Sequence, residues 1–181
     1  MKKQKFLLHT CCATCLMHPL TLLLNDYDTT IFFYNPNIHP KDEYIKRLYD
    51  VKKIAEEFST PLIIEKYEKS KWLKSTGNLK DAPEGGKRCT KCFKIRLEKT
   101  GEIAKKLSYD LFGTTLTISP HKNQEIINLI GKNIAEKIKI SFYSADFKKK
   151  NGFKNTIDLS KKYHIYRQNY CGCIYSSKKN R

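Results

Sequence analysis

An alternation between two kinds of apolar pattern constrains the fold of this chain more than any other feature. Between five short segments, apolar residues recur every three or four positions, which is the spacing of one helix face. Strands that alternate with helices form parallel sheets, so an α/β fold is predicted. The five segments with strand character are KFLLH (5–9), TTIFFYN (29–35), PLIIEKY (61–67), DLFGTTLT (110–117) and ISFYSAD (140–146).

Three of the intervening segments predict helices. The first helix follows Pro40, and the second runs from Phe93 to Leu107 with Gly101 weakening its middle. The third begins at Ser119-Pro120, which is a typical helix start.

The remaining segments set the expected organisation. The stretch 68–90 is rich in glycine and is expected to form a basic surface insertion. The residues after 147 are expected to form a cap that carries the last cysteines. No repeat or low-complexity linker divides the sequence, so residues 1–181 are predicted to form one domain with a Rossmann-like parallel sheet.

The cysteines and the apolar runs indicate the compartment. No apolar run reaches the roughly 20 residues of a membrane span. The start, MKKQKFLLHTCC, lacks the cleavage site of a signal peptide, so a cytoplasmic protein with no membrane partner is expected. In that reducing setting, seven clustered cysteines are typical of metal-binding or catalytic sites rather than of a disulfide framework.

The charge is strongly basic. The chain has 35 basic and 18 acidic residues, a formal net charge of +17. Such a field attracts polyanions and favours a nucleic-acid partner, and a solvated lysine-rich surface is the alternative. Three basic stretches lie beside a cysteine motif or a glycine turn: GGKRCTKCFKIR (85–96), DFKKKNGFK (146–154) and SSKKNR (176–181).

The stretch HTCCATC (9–15) places three thiols at the end of the first predicted strand. Cys11 and Cys12 follow the strand, and Cys15 falls in the first turn of the next helix, where the helix dipole favours a thiolate. Open α/β sheets bind ligands at this edge. A nucleotide-binding sheet usually carries a glycine-rich phosphate loop at this point. This sequence has none, so a nucleotide-hydrolase-like frame without a nucleotide cofactor is predicted.

A second motif, RCTKC, carries Cys89 and Cys92 at a spacing that lets two sulfurs converge on one ion or cluster. Together with Cys11 and Cys12 it supplies four thiolates, enough for zinc or an iron–sulfur cluster. The alternative is that the two pairs are unrelated.

A third motif, YCGCI, places Cys171 and Cys173 on either side of Gly172. A disulfide between them would close a very small ring, and a strained disulfide suits a reversible redox couple. A further pair of metal ligands is the alternative.

Six ordered motifs between Phe6 and Ser176 resemble those of the cobalamin-independent epoxyqueuosine reductases, the QueH family. They are HTCCATC, NPNIHP (35–40), RCTKCFKIRL, GTTLTISPHKN, SADFKKKNGF (144–153) and YRQNYCGCIYS. The resemblance implies an oxidoreductase that converts epoxyqueuosine to queuosine at the wobble position of tRNA, the last step of queuosine biosynthesis, without cobalamin.

The resemblance also implies roles for the cysteines. The family's [4Fe–4S] cluster ligands map to Cys11, Cys12, Cys89 and Cys92. Its redox-active disulfide maps to Cys171 and Cys173. Thr14 departs from the proline that many relatives carry there, which alters the stiffness of the loop but leaves the ligands untouched.

The chemistry requires two electrons, two protons and an electrophile for the departing oxygen. Cys15 is a candidate ligand of a second iron, and a packed thiol is the alternative. His9 and Asp146 are candidate proton donors or outer ligands, because both are expected to end strands on the same sheet edge. A structural hydrogen bond is the favoured interpretation of each.

Substrate binding is expected to combine phosphate contacts with base stacking. Tyr34, Tyr166 and Tyr170 could stack on bases, although packing is the commoner role of a tyrosine. The basic residues expected to contact anticodon phosphates are Lys87, Arg88, Lys91, Lys94, Arg96 and Arg167.

Two rival classes share parts of this pattern. A zinc-bound RNA-binding module would use the same four cysteines and the same charge. A thiol-disulfide oxidoreductase acting on proteins would need an attacking C-x-x-C and no metal. The sequence does not identify the electron donor of the reductase.

Overall fold

The computed structural model describes residues 2–177. Five strands form one parallel sheet in the order β3-β2-β1-β4-β5. This order reverses direction beside β1, as in a Rossmann-like sheet, and the predicted fold class and all five strands are confirmed. The strands are β1 (Gln4–Thr10), β2 (Tyr27–Phe33), β3 (Leu62–Ile64), β4 (Leu111–Thr114) and β5 (Ser141–Phe142).

Seven α-helices accompany the sheet within the described part of the chain. Two 3-10 turns, Gly77–Leu79 and Thr115–Ile118, lie between them. None of the helices within residues 2–177 has the length and apolar character that a membrane-spanning helix needs. The helices are α1 (Ala13–Asp26), α2 (Lys41–Glu57), α3 (Lys69–Thr76), α4 (Lys87–Lys106), α5 (Gln124–Ile138), α6 (Gly152–Lys162) and α7 (Ile174–Ser177).

β1 is the central strand and carries the core. It pairs with β2 on one side and with β4 on the other. Phe6, Leu7 and Leu8 are fully buried, so consecutive residues pack on opposite faces of the sheet. A continuous apolar run is typical of a strand in a parallel sheet that is covered on both faces. The chain leaves this strand directly into Cys11 and Cys12.

Helix α5 begins later than predicted. It starts at Gln124 rather than at Ser119-Pro120, because the side chain of Asn123 caps it. Asn123 Oδ1 accepts hydrogen bonds from the N–H groups of Glu125 (2.9 Å) and Ile126 (3.1 Å). Ordinary N-cap preference therefore decides the boundary.

Gly101 does not interrupt α4, and its place in the helix has a packing reason. A Cβ atom at this position would lie 2.8 Å from Cδ1 of Ile138 on α5. The glycine therefore allows α4 and α5 to approach each other closely.

The predicted insertion and cap both contain helices. The stretch 68–90 contains α3, whose Trp72 is 1% exposed, so it forms part of the interior as well as of the surface. After residue 147 the chain forms α6, which packs against α1, and then a segment that we call the strap, residues 163–173. Of the basic stretch SSKKNR, residues 178–181 lie outside the described residues.

Candidate metal and redox site

The adjacent cysteines lie at the carboxyl edge of the sheet, where β1 ends. Cys12 caps α1, and its Sγ accepts a hydrogen bond from the N–H of Cys15 at 3.4 Å. Sγ of Cys11 lies 3.8 Å from Sγ of Cys12. The sulfurs of Cys11, Cys12 and Cys15 all lie within 4.8 Å of one another and all three residues are buried. The expected position of Cys15 in the first helical turn is confirmed.

Cys89 and Cys92 occupy the first two turns of α4. Sγ of Cys89 accepts a hydrogen bond from the N–H of Gly85 at 3.2 Å. Cys92 packs in a small buried cluster with Trp72 and Cys173. The C-x-x-C motif therefore lies next to the last cysteine motif.

Cys171 and Cys173 lie at the end of the strap, and both are free thiols. Sγ of Cys171 accepts the N–H of Cys173 at 3.4 Å and lies 3.2 Å from Oγ of Ser176. Gly172 adopts φ +96°, a left-handed conformation that only glycine adopts readily. The predicted freedom of Gly172 is thus used in the turn between the two thiols.

The three motifs do not form one tight group. Among the described residues, Cys11, Cys12 and Cys15 are the only set of three or more potential ligands this close together. Cys89 and Cys92 stand outside it. A [4Fe–4S] cluster is larger than a single ion, so its ligand sulfurs stand further apart than those around one ion.

Cationic side chains lie close to cysteines of more than one motif. The charge of Arg96 favours the thiolate of Cys11 and also that of Cys92, so this arginine lies near both motifs. Burial alone would lower the pKa of Lys122, but nearby cysteines, chiefly Cys11 and also Cys171, raise it. Thiols from the beginning and the end of the chain therefore face a shared set of positive charges.

Hydrogen bonds divide the first three thiols into one thiolate and two donors. The thiols of Cys12 and Cys15 donate to Cys11 and hold its pKa well below the usual value. The same hydrogen bond with Cys11 raises the pKa of Cys12 to about 12, and the pKa of Cys15 rises for the same reason.

Cys171 and Cys173 are likewise divided into one thiolate and one donor. The pKa of Cys171 falls to about 5, chiefly because the thiol of Cys173 donates to it, with help from Ser176 and Lys122 against the effect of burial. The pKa of Cys173 is raised by the same bond. Cys171 is therefore the thiolate of this pair.

His9 and Asp146 both make structural contacts. His9 is fully buried; its Nε2 donates to the carbonyl of Tyr34 (3.2 Å), so its Nδ1 accepts from Oγ1 of Thr114 (2.9 Å). Burial, followed by the charge of Arg96, lowers the pKa of His9 to about 3. The carboxylate of Asp146 accepts from Nζ of Lys148 at 2.8 Å. These contacts match the structural interpretation of both residues, and their proton-donor roles stay predictions.

Two of the expected phosphate contacts need correction. Arg88 is 4% exposed and its guanidinium binds the carbonyls of Leu79, Lys80 and Ala82. Arg96 is 3% exposed and donates to Oδ1 of Asn35 at 3.4 Å. Buried guanidinium groups that already bind protein oxygens are not placed to contact phosphates. The exposed members of the predicted set are Lys87, Lys91, Lys94 and Arg167.

The three tyrosines proposed for base stacking are engaged within the protein. The hydroxyl of Tyr34 donates to Glu68 Oε2 at 2.8 Å, and this residue is 2% exposed. The hydroxyl of Tyr166 donates to Glu43, and that of Tyr170 to the carbonyl of His39. The packing role is therefore the one observed for all three.

Sequence reasoning missed three polar residues of the site. Arg47 of α2 binds the strap, Gln168 of the strap donates to Sγ of Cys12 at 3.0 Å, and Lys122 follows β4. A signal existed for Arg47, because it falls between Tyr44 and Val51 at the spacing of the buried helix face. Gln168 and Lys122 carried no such periodic signal.

The residues at this edge fit an iron–sulfur group. Thiolates are the ligands that such clusters take, and nearby cations offset their negative charge. Nε of Arg96 and Oε1 of Gln168 are buried without a hydrogen-bond partner within the protein. Unpartnered polar atoms are rare in a protein interior, and a further group at this edge would offer them partners.

Comparison with known proteins decides between the rival classes. A family model described as epoxyqueuosine reductase QueH matches residues 6–179, nearly the whole chain. The chain belongs to the QueH family. Membership makes it an oxidoreductase of the epoxyqueuosine reductase type, and it confirms the resemblance read from the six motifs.

Individual relatives agree with the family match. The epoxyqueuosine reductase QueH of Thermotoga maritima is 43% identical over 173 residues, which is 94% of this chain and 88% of the relative. The QueH of Streptococcus pyogenes serotype M1 is 40% identical over 182 residues, 97% of this chain and 71% of the relative. The QueH of Staphylococcus epidermidis is 38% identical, covering 98% and 78%.

Proposed function

We propose that this chain reduces epoxyqueuosine to queuosine at the wobble position of tRNA. One observation carries the proposal: the QueH family match covers residues 6–179, and this range contains all seven cysteines. The edge beside β1 is the switch point at which sheets of this order bind their ligands.

The reaction defines what the site has to supply. The epoxide takes up two electrons and two protons, its two C–O bonds break, and the products are an alkene and water. Closing a disulfide from the Cys171 thiolate and the Cys173 thiol releases two electrons and one proton, and water supplies the second proton. One turnover of such a pair therefore balances the electrons that one epoxide takes up.

We assign the cofactor ligands on the same basis. Cys11, Cys12, Cys89 and Cys92 would hold a [4Fe–4S] cluster, and Cys15 would help to hold a second iron beside it. When bound, such a group supplies electrons one at a time and an acidic iron for the departing oxygen. The positive charges of Arg96 and Lys122 favour the thiolate forms that metal binding requires.

Cys171 and Cys173 would act as the two-electron store. Cys171 supplies the thiolate and Cys173 holds a proton, because the hydrogen bond between them separates their pKa values. An external electron donor then reduces the disulfide after each turnover. The free thiols of the structure correspond to the reduced state of this pair.

The exposed basic residues would bind the RNA. Lys87 and Lys91 lie on the first turns of α4, next to Cys89, and Arg167 lies on the strap. Phosphate contacts fix the position of the anticodon without reading its sequence. A free nucleoside carries no phosphates for these side chains to contact, so tRNA is expected to be preferred over the free nucleoside.

An anaerobic preparation tests this proposal. The purified protein is analysed for iron, sulfide and zinc, and is then mixed with tRNA carrying epoxyqueuosine and a chemical reductant. We expect iron, sulfide and the formation of queuosine, measured by chromatography of the digested nucleosides. A colourless protein that contains zinc and binds tRNA without converting it would support the RNA-binding module instead. An active protein without metal would refute the cofactor assignment.

A further inference from the structure

Arg47 is a buried arginine that connects helix α2 to the strap. It is 1% exposed, and all of its donor nitrogens have partners. Nε donates to Oε1 of Glu43 at 2.7 Å. Nη1 donates to the carbonyl of Cys171 and Nη2 to the carbonyl of Tyr170, both at 3.1 Å. The guanidinium thus spans two consecutive carbonyls beside the redox pair.

The backbone of Gly172 is also fixed by a hydrogen bond. Its carbonyl accepts the N–H of His39 at 2.7 Å. A Cβ atom at Gly172 would lie 3.1 Å from Nη1 of Arg47 and 3.0 Å from Cγ1 of Ile38. The glycine therefore lets the guanidinium approach the strap closely, and the three carbonyls from Tyr170 to Gly172 are all fixed.

One face of α2 carries the rest of this contact. Glu43, which pairs with Arg47, also accepts the hydroxyl of Tyr166 through its second oxygen at 3.2 Å. Asp50 accepts the N–H of Tyr166 at 2.8 Å. Residues 43, 47 and 50 follow helical spacing, so they form a row along the strap.

We propose that Arg47 is a positioning residue that holds the Cys171–Cys173 loop in its dithiol conformation. The proposal rests on the proposed function, in which this pair exchanges electrons with a disulfide. The two thiols are already hydrogen-bonded to each other, and bringing their sulfurs from that contact to the roughly 2.05 Å of a disulfide bond would turn the peptide groups between them. The carbonyls of those peptides are the ones that Arg47 and His39 hold, so the contact favours the dithiol over the disulfide.

Arginine suits this task better than lysine does. Its planar fork donates to two acceptors in fixed directions, whereas a lysine ammonium is a single flexible point charge. The variant Arg47→Lys therefore keeps the buried charge beside Glu43 and loses the paired contact. Its effect reports on positioning rather than on the loss of charge.

The test measures the dithiol–disulfide equilibrium of the metal-loaded protein. Wild type, Arg47→Lys and Glu43→Gln are equilibrated in dithiothreitol or glutathione buffers, alkylated, and analysed by mass spectrometry of the peptide that contains Cys171 and Cys173. Lys52→Gln is the control, because Lys52 is an exposed basic residue of the same helix. Iron content, kcat, and KM for tRNA are measured for each protein.

We expect Arg47→Lys to shift the equilibrium toward the disulfide by about tenfold, which is about 30 mV for a two-electron couple. The value of kcat should fall while iron content and KM for tRNA stay at the wild-type level, since Arg47 is buried and is not among the residues proposed to contact the RNA. Glu43→Gln should shift the equilibrium less, in the same direction, and Lys52→Gln should match the wild type.

The outcomes separate the two proposals. An Arg47→Lys protein with the wild-type equilibrium constant overturns the role of Arg47, and if this variant does not fold, an unchanged constant in Glu43→Gln does so. A wild-type protein that forms no disulfide between Cys171 and Cys173 in any buffer refutes the redox pair itself, and with it the proposed electron store.

Discussion

Gln168 donates a hydrogen bond from Nε2 to Sγ of Cys12 over 3.0 Å. The strap that carries the last two cysteines is therefore joined directly to the first cysteine motif. A second contact supports the first, because the hydroxyl of Thr14 donates to the carbonyl of Tyr166 at 3.3 Å. Proline, which many relatives carry at this position, has no such hydroxyl. Thr14 therefore adds a hydrogen bond between the strap and the first cysteine motif. Hydrogen bonds to ligand sulfurs are one of the means by which proteins set cluster potentials.

Replacing a proposed cluster ligand should remove the metal. Cys12→Ser and Cys89→Ser proteins should lose most of their iron and sulfide and all of their turnover, because each variant removes one of the four thiolates proposed to hold the cluster. Cys15→Ser should lose less iron. Iron and sulfide analysis of anaerobic preparations measures this, with the wild type prepared in parallel.

The structure sharpens the outcome that would contradict this assignment. Cys11, Cys12 and Cys15 alone form the tight group of sulfurs among the described residues. If they held a single ion without the C-x-x-C motif, Cys15→Ser would lose the metal and Cys89→Ser would keep it. That pattern would rule out the four-cysteine cluster.

Replacing Cys171 and Cys173 together with serine should separate electron storage from metal binding. We expect near-normal iron and sulfide content, because the four proposed ligands lie elsewhere, and loss of multiple turnover, because the store is gone. Queuosine formed per enzyme is the measurement. Loss of the cluster would identify the two residues as ligands, and unchanged turnover would make the motif structural.

The reactivity of Cys171 should persist in mild acid. The Cys173 thiol and its other donors lower the pKa of Cys171 to about 5, so its thiolate is the main form at neutral pH. Alkylation by iodoacetamide should stay nearly constant from about pH 8 to about pH 6.5 and fall as the pH drops through about 5, because the thiolate is the nucleophile.

Peptide mass spectrometry over time gives the rate at each pH. The matched variant is Ser176→Ala, which removes one hydrogen bond to Sγ of Cys171 and should move the fall in rate to higher pH. A wild-type rate that already declines below about pH 8 would show an ordinary thiol.

Removing exposed positive charge should weaken tRNA binding and its salt dependence. The variant Lys87→Gln/Lys91→Gln/Arg167→Gln should bind tRNA less tightly at low salt, and the slope of log affinity against log salt should become smaller by about 2, since each phosphate contact contributes about 0.7 for a single strand. Filter binding at several salt concentrations measures both quantities.

A control with the same change in charge uses exposed lysines of α2 and α5, in the variant Lys52→Gln/Lys132→Gln/Lys137→Gln. Equal losses in the two triple variants would show a general effect of net charge instead of a defined RNA surface. A flat salt response of the wild type would indicate a lysine-rich surface with no RNA role.

The fold was readable because its signals are local. Apolar runs such as Phe6-Leu7-Leu8 and the helical spacing after Pro40 reflect burial within one element, and both predictions hold. The start of α5 was misplaced because Ser119-Pro120 and Asn123 both resemble helix starts, and the side chain of Asn123 is the one that caps the helix. A single domain and a cytoplasmic location stay predictions.

Only part of the site could be predicted from the sequence. Cysteine spacing indicated the thiols, since ligand chemistry selects that residue type. Arg88 and Arg96 were placed on the surface because charge in a sequence does not reveal which guanidinium groups are buried against carbonyls or thiols. Contacts such as Gln168 with Cys12 join residues 156 positions apart, and no local pattern encodes them.

The central place of β1 in the sheet has a consequence for biosynthesis. This strand is translated before its partner β4, which begins at Leu111, and the strap is translated later still. Cys11 and Cys12 therefore lie at an incomplete sheet edge while most of the chain is translated. The hydrogen bond from Gln168 to Cys12 can form only after the strap has been made, so the proposed cofactor site would be completed late in translation.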